Sequence, residues 1–492
     1  MEGKSLLSDF DETAGGAPAE PAPRAAAPAI PSVVYLYVGI AAAANLLFGY
    51  ENSVVASGVT DYVGAAAGDQ AVFETSFLKG ALALGATIAC PLAGFAQDGL
   101  GRRVTLILCC LVYLGVAALT TTSPAYAAGG FPQMAAGRVL TGCIIGVFSS
   151  TVPMYIAELS PPAVRGALVT VNQVCICAGI LLGYMSSWLF KGAWRVQFAA
   201  ATPLAALSLA AFVLVTPYSP RWLMSRGREA EARAVLASTL GAAAGAAAVD
   251  AEVASMRAAI ELTAGANRLA LLAEPHTRWS ICIGVMGSLM QQWVGVNAVN
   301  GFAPQIFESA GSSPDEAHVQ TIYIGVAKLV FVVVALLLMD RVGRKPLLLA
   351  GCAGMALSAA GLAASYSLPV PARGNTAVAC LVLYMAFFEI SLGPILWLLL
   401  SELYPVQIKG VAMSIGSTTC WCVASSAAVE TPLAPRPRRL TATRHPHPPQ
   451  AHDVRRESDL HAHDQGAGHG QDLLLFRRRV RAVLCVDPAL HV

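Results

Sequence analysis

The chain has 492 residues, is 55% hydrophobic and only 13% charged, and carries a net charge of +2. Soluble domains hold roughly twice that charged fraction, which excludes a water-soluble globular fold for the chain as a whole, and a balance so close to neutral gives no electrostatic case for a nucleic-acid partner. Several apolar runs near twenty residues mark an all-α protein that crosses a membrane many times.

Residues 1–33 are Ala/Pro-rich and acidic and are expected to form a disordered tail. They lack the basic segment and apolar core of a cleavable signal. Hydropathy then predicts helices over 34–58, 76–97, 104–123, 131–156, 164–190 and 195–216. A polar stretch, 217–278, follows; within it Asp250 to Ala264 reads as a short amphipathic helix. Further helices are predicted over 279–306, 319–339, 346–368, 376–400 and 409–429. The reading is a six-helix bundle (34–216), a loop (217–278), a bundle with five recognisable helices (279–429) and a tail (430–492).

Lys and Arg gather in alternate loops: Arg102 and Arg103, Arg165, the Arg-rich 217–278 stretch, then Arg341, Arg344, Lys345 and Lys409. The loops 59–75, 121–130 and 307–318 have none. Positive charge stays on the cytoplasmic side, so the N-terminus is expected there. The tail 430–492 is rich in Arg, Pro and His. Its run Leu473 to Arg479 is what an out-of-frame reading of a Phe/Ala-rich helix would give, so the twelfth helix is expected to be missing or out of frame; a genuine cytosolic tail is the alternative. The twelve cysteines, mostly inside apolar runs, read as small core residues rather than disulfides or metal ligands. No metal or cofactor is expected. An enzyme finds no support either, since His276 and His318 stand alone at helix edges.

Two motifs recur in the same order at nearly one period. GFAQDGLGRR and MDRVGRKP place Asp98 and Asp340 242 residues apart. AELSPPAVRG and SELYPVQIKG place Glu158 and Glu402 244 residues apart. The chain therefore reads as two related halves. Arg138, inside an apolar run, costs a few kcal/mol in a bilayer and calls for a bundle interior or a cavity unless it snorkels to an interface.

The D-x-x-G-R-[RK] loops and [AS]-E-L-x-P turns resemble the major facilitator superfamily. PMYIAELSPPAVRG, SPRWLM (Ser219–Met224), QQWVGVNAVNGFAP (Gln291–Pro304) and GPILWLLLSELYP (Gly393–Pro405) resemble its sugar porters over residues 34–429. The resemblance implies two six-helix bundles with pseudo-two-fold symmetry that carry a monosaccharide, by default a hexose, through alternating access. Proton symport is preferred over facilitation, and a non-transporting sugar sensor or inactive isoform is the further alternative. The expected partners are the sugar, protons and membrane lipid, and the expected state is a monomer in the plasma membrane or an endomembrane.

Side-chain amides donate and accept without charge, which suits a ring of hydroxyls. Gln291, Gln292 and Asn297 place three amides within seven residues, and Gln173 is the matching amide in the first half. An ideal helix would not aim all three at one point; a bend at Gly295 or Pro304 would help. Taken singly, each amide could equally be helix–helix glue. Trp397 and Trp421 would offer flat apolar faces to the sugar ring.

The resemblance maps a proton-coupling carboxylate onto Glu51. Glu51 lies seventeen residues into an outward helix and Arg138 seven into an inward one, so the two can meet in the outer half; a static pair in a facilitator is the alternative. By the same resemblance Asp98, Arg102, Arg103, Glu158 and Arg165 in one half, and Asp340, Arg344, Glu402 and Lys409 in the other, would form the cytoplasmic gate. Four positions depart from the family pattern. Tyr218 stands where a Glu is usual, Gly301 where an aromatic is usual, Cys420 replaces an amide, and Lys328 replaces a neutral amide in helix 8. Lys328 would pair with Glu389 or with an anionic substrate such as a sugar acid.

Overall fold

The computed structural model describes residues 30–66, 68–161, 164–241, 245–264, 274–404 and 409–430. The expectations for the tails 1–29 and 431–492 lie outside the described residues, as do the side chains of Asp340, Glu402 and Lys409.

A membrane interior offers no water to satisfy backbone groups, so long apolar runs must bond internally as helices. The first half comprises α1 (Ser32–Val63), α2 (Asp69–Leu100), α3 (Arg102–Thr121), α4 (Phe131–Leu159), α5 (Arg165–Leu189), α6 (Trp194–Ala199) and α7 (Thr202–Leu214). The polar stretch folds as α8 (Pro220–Ser225), α9 (Glu229–Leu240) and α10 (Gly245–Ala264), the last longer than the expected 250–264. The second half comprises α11 (Pro275–Trp293), α12 (Val296–Ala310), α13 (Pro314–Val342), α14 (Arg344–Ser365), α15 (Val370–Ile390), α16 (Leu392–Leu403) and α17 (Lys409–Glu430).

Nine stretches among the described residues are long and apolar enough to cross a membrane; α11, α12 and α17 are not among them. Those three carry much of the polar chemistry described below.

Three runs that hydropathy reads as single helices are broken, each for a local reason. Between α6 and α7, Pro203 removes the N–H that would bond Ala199. Between α15 and α16, Pro394 does the same to Ile390, and Ser391 sits at φ −120°, ψ −97°. Between α11 and α12, Gly295 takes φ +84°, a left-handed conformation that costs little only for glycine.

In the first half α1 packs along α5 and α2 along α4; the second half repeats this with α11 on α17 and α13 on α15. The halves meet where α2 lies on α17, α5 on α13 and α1 on α12. Close approach uses small residues, as membrane helices do. A Cβ on Gly49 would overlap the Ile176 carbonyl, and one on Gly179 the Leu46 carbonyl, so the α1–α5 crossing needs both glycines.

α8 anchors the polar stretch to the first half. Trp222 Nε1 donates to Asp98 O (3.1 Å), and Arg226 Nη2 donates to Asp98 O and Gly99 O (2.8 and 2.7 Å). Tyr218 stacks on Trp222 with ring centroids 5.5 Å apart. It lies under both Arg103 and Arg228, whose guanidinium carbons are 5.0 and 5.3 Å from its ring. Where the family pattern has a Glu, this chain has two cation–π contacts.

Candidate functional site

The end carrying the Arg-rich loops holds the residues assigned to a gate. Arg102 reaches Glu158 (3.0 Å) and, more loosely, the exposed Asp98 (3.7 Å). The other two basic residues of the expected gate make their hydrogen bonds to helix-end carbonyls rather than to a carboxylate. Arg103 donates to Phe212 O and Val213 O (3.0 and 2.7 Å), at the end of α7. Arg165 donates to Ala157 O and Ser160 O (2.9 and 3.4 Å), at the end of α4. The last carbonyls of a helix have no partner within it, and these guanidinium groups supply one. Arg344 begins α14, in the loop equivalent to Arg102.

In the membrane interior α1 and α4 bring Glu51 and Arg138 together. Arg138 Nη1 lies 2.5 Å from Glu51 Oε2, and Nη2 donates to the Glu51 carbonyl (3.1 Å). The side chains are 1% and 4% exposed, so water does not screen this pair. The second carboxylate oxygen, Oε1, accepts from Tyr113 Oη of α3 at 2.5 Å. Tyr113 was not singled out in the sequence; its signal was a lone hydroxyl in the apolar run LILCCLVYLGV. The Phe198 ring of α6 covers the guanidinium at 5.3 Å.

The second half supplies the amides. The break at Gly295 brings the three onto one chain of hydrogen bonds. Asn297 Nδ2 donates to Gln292 Oε1 (2.6 Å), Gln292 Nε2 to Gln291 Oε1 (3.4 Å), and Gln291 Nε2 to Leu392 O beside the α15–α16 break (2.9 Å). Cys420 Sγ donates to Gln291 Oε1 (3.4 Å). Tyr384 of α15 holds the break itself by donating to Val294 O. Trp421 is buried, donates to Ser149 Oγ of α4 (3.3 Å) and lies 5.4 Å from Phe48 of α1, so it links the halves. Trp397 is half-buried on α16. Gln173 is half-buried on α5; its neighbour Asn172 is buried and accepts from Asn45 Nδ2 (2.6 Å).

A small cavity of about 30 Å³ lies between the halves. Glu51 and Arg138 line one wall, and Asn297, Gly301 and Trp421 the other. It has room for a water or two and not for a sugar ring. Gln173, Gln291, Gln292 and Trp397 do not line it.

Lys328 of α13 and Glu389 of α15 form a second buried pair, 2.6 Å apart and 2% and 1% exposed. Neither Glu389 oxygen meets a well-aligned hydrogen-bond donor among the described residues, and the buried Cys177 thiol of α5 is their other polar neighbour. Of the two partners open to Lys328, the structure places Glu389 against it.

At the end away from the Arg-rich loops, side chains tie the halves together. Lys79 of α2 donates to Gly301 O (2.8 Å), and Gln305 to Thr60 Oγ1 (3.0 Å). Tyr184 donates to Asn300 O (3.2 Å), Ser57 meets His318 Nδ1 (3.3 Å), and Lys191 pairs with Asp315.

The chain is also similar to known proteins. The family described as "Sugar (and other) transporter" matches residues 37–434. The D-xylose-proton symporter of Escherichia coli (strain K12) is 33% identical over 419 residues, covering 79% of this chain and 83% of that one. The glucose facilitated diffusion protein of Zymomonas mobilis is 33% identical over 400 residues, covering 78% and 83%. Among solved structures, the major facilitator proton:xylose symporter XylE bound to 6-bromo-6-deoxy-D-glucose is similar with a TM-score of 0.71 at 32% identity, covering 81% of this chain and 88% of that one. XylE from E. coli in a partially occluded inward-open conformation gives a TM-score of 0.70 at 29% identity, covering 82% and 91%. The chain belongs to the sugar porters of the major facilitator superfamily.

Proposed function

We propose that this chain carries a monosaccharide, a hexose or a similar sugar, across a membrane together with a proton, with the Arg-rich loops on the cytoplasmic side. One observation carries the reading: a single cavity has the Glu51–Arg138 pair in one wall and Asn297 with Trp421 in the other. A change of charge on Glu51 therefore acts directly on the walls that hold the sugar.

Ionised Glu51 takes one donor on each oxygen, from Tyr113 and Arg138. A proton on Oε2 removes the charge and turns that acceptor into a donor facing the guanidinium. The α1–α4 link then weakens, and Arg138 is left with part of its desolvation cost unpaid. A state that gives Arg138 other partners or water gains population by that difference. The sugar acts on the other wall. Asn297 in the cavity wall and Gln292 behind it, bonded to each other, exchange that bond for hydroxyls that both donate and accept. The cavity is too small for the ring, so the halves must part first, and the bonds from Lys79, Gln305 and Tyr184 across the outer half are the ones that break when the site opens to that side.

Facilitated diffusion is the second reading, favoured by the equal identity of the Zymomonas mobilis relative named for it. Accumulation of labelled sugar in proteoliposomes against its gradient, driven by an inwardly directed pH gradient, decides between them. Equilibration without accumulation supports facilitation; no saturable uptake of any monosaccharide removes both readings.

A further inference from the structure

The buried cations of this chain are not treated alike. Arg138 has Glu51 and Lys328 has Glu389, each within 2.6 Å. Lys79 has no carboxylate at ion-pair distance among the described residues. Its side chain is buried, and its ammonium donates to Gly301 O (2.8 Å) and Ala56 O (3.4 Å) and sits 4.1 Å from the centre of the Phe302 ring. Carbonyl dipoles and a ring face solvate an ammonium without neutralising it. Glu51 and Arg138 serve each other as counter-ions, so Lys79 lines the shared cavity with no counter-ion among the described residues.

An independent feature lies beside it. Gly301, whose carbonyl holds Lys79, lines the same cavity, and a Cβ there would meet nothing within 4 Å. The wall next to the ammonium is therefore unfilled, although the flanking Asn300 and Phe302 are buried. A neutral sugar has no use for an unbalanced cation at this place, and burying one costs several kcal/mol.

We infer that the site accepts a monosaccharide bearing a carboxylate, a hexuronate, with the carboxylate seated on Lys79 in the space beside Gly301 and the ring hydroxyls on Asn297 and Gln292. This rests on the sugar-transport reading above and names the substrate class for it. The inference puts the anion contact on Lys79 rather than on Lys328, for which the sequence left both Glu389 and an anionic substrate open. An anion at Lys328 would have to displace Glu389 and leave that carboxylate buried without a partner, whereas at Lys79 it displaces only carbonyl contacts.

The test is counterflow of labelled D-glucose or D-xylose in proteoliposomes of the full chain at neutral pH with the membrane potential clamped. The competitors are D-glucuronate, D-galacturonate and the uncharged methyl ester of D-glucuronic acid. The ester keeps the shape and removes the charge. A charge-assisted hydrogen bond supports a preference of about tenfold or more for the acid over its ester. That preference is expected in the wild type, is expected to disappear in Lys79→Gln, and is expected to return in Lys79→Arg, which keeps the charge. Neutral-sugar exchange with no preference for the acid in the wild type overturns the inference and leaves sugar transport standing. A preference that survives Lys79→Gln, with all sugars slowed alike, also overturns it and makes Lys79 a strap between α2 and α12. Failure of every sugar to exchange removes the sugar-transport reading and this inference with it.

Discussion

Glu51→Gln is the perturbation on which the structure is most specific. Glu51 uses both oxygens as acceptors, and Gln has only one to offer. Tyr113 can turn its hydroxyl to accept from the new amide, so Arg138 keeps a neutral acceptor and loses a charge. Removing one member of a buried ion pair costs about 3–5 kcal/mol, because the other charge stays buried. At 1% and 4% exposure the pair belongs in that class. Thermal unfolding of the purified protein is expected to show a clear loss of stability in Glu51→Gln. Most of it should return in Glu51→Gln/Arg138→Gln, where no lone charge remains. In proteoliposomes the single variant resembles the protonated carrier: counterflow of sugar persists while accumulation driven by a pH gradient is lost. Protonophore-sensitive accumulation by Glu51→Gln would refute the assignment of the proton to Glu51. Wild-type stability in that variant would refute the claim that the pair is buried and strong.

The Lys328–Glu389 pair makes a parallel prediction: either single neutralisation costs about 3–5 kcal/mol, while Lys328→Met/Glu389→Leu is near neutral. A double variant no better than the singles, read by thermal unfolding, would contradict it. Gly295→Ala places a Cβ at φ +84°, a strain of about 1–2 kcal/mol. It is expected to weaken sugar binding by pulling Asn297 out of the amide chain, measured as a raised half-saturation in counterflow. Outside the membrane, hydrogen bonds from Arg257 and Arg233 hold Glu229 below its ordinary carboxylate value of 4.5. A depressed carboxylate contributes stability that is present above the unfolded value and is lost as pH falls through the folded one. Protection factors of the α9 and α10 amides, with the intrinsic pH dependence of exchange divided out, should therefore be flat from pH 7 to 5 and fall below about pH 4.5; no fall there would count against the cluster.

Much of this site was legible in the sequence, for identifiable reasons. Helix direction and a rise of 1.5 Å per residue put Glu51 and Arg138 at one depth before any packing was known. The amide cluster was legible by composition, and Gly295 by its place between Gln292 and Asn297. What the sequence hid was mostly direction across helix pairs. Nothing in the runs of α2 and α3 says that Tyr113 points at Glu51 or that Lys79 points at α12. Arg103 and Arg165 look like partners for Glu158 because they are basic and near. Their hydrogen bonds go to the carbonyls left open at the ends of α7 and α4, a demand that a charge pattern does not display. The break at Ser391 was hidden because Pro394 sits within a run of high hydropathy, where a sliding window reads apolar side chains and not missing N–H groups.

The central claim is that sugar and proton pass through one cavity. Its most direct measurement is the pH inside proteoliposomes loaded with a pH-reporting dye when sugar is added outside with no imposed gradient. The account predicts that a transported monosaccharide acidifies the lumen in the wild type and does not do so in Glu51→Gln. Entry of the sugar with an unmoved lumenal pH in the wild type would contradict it.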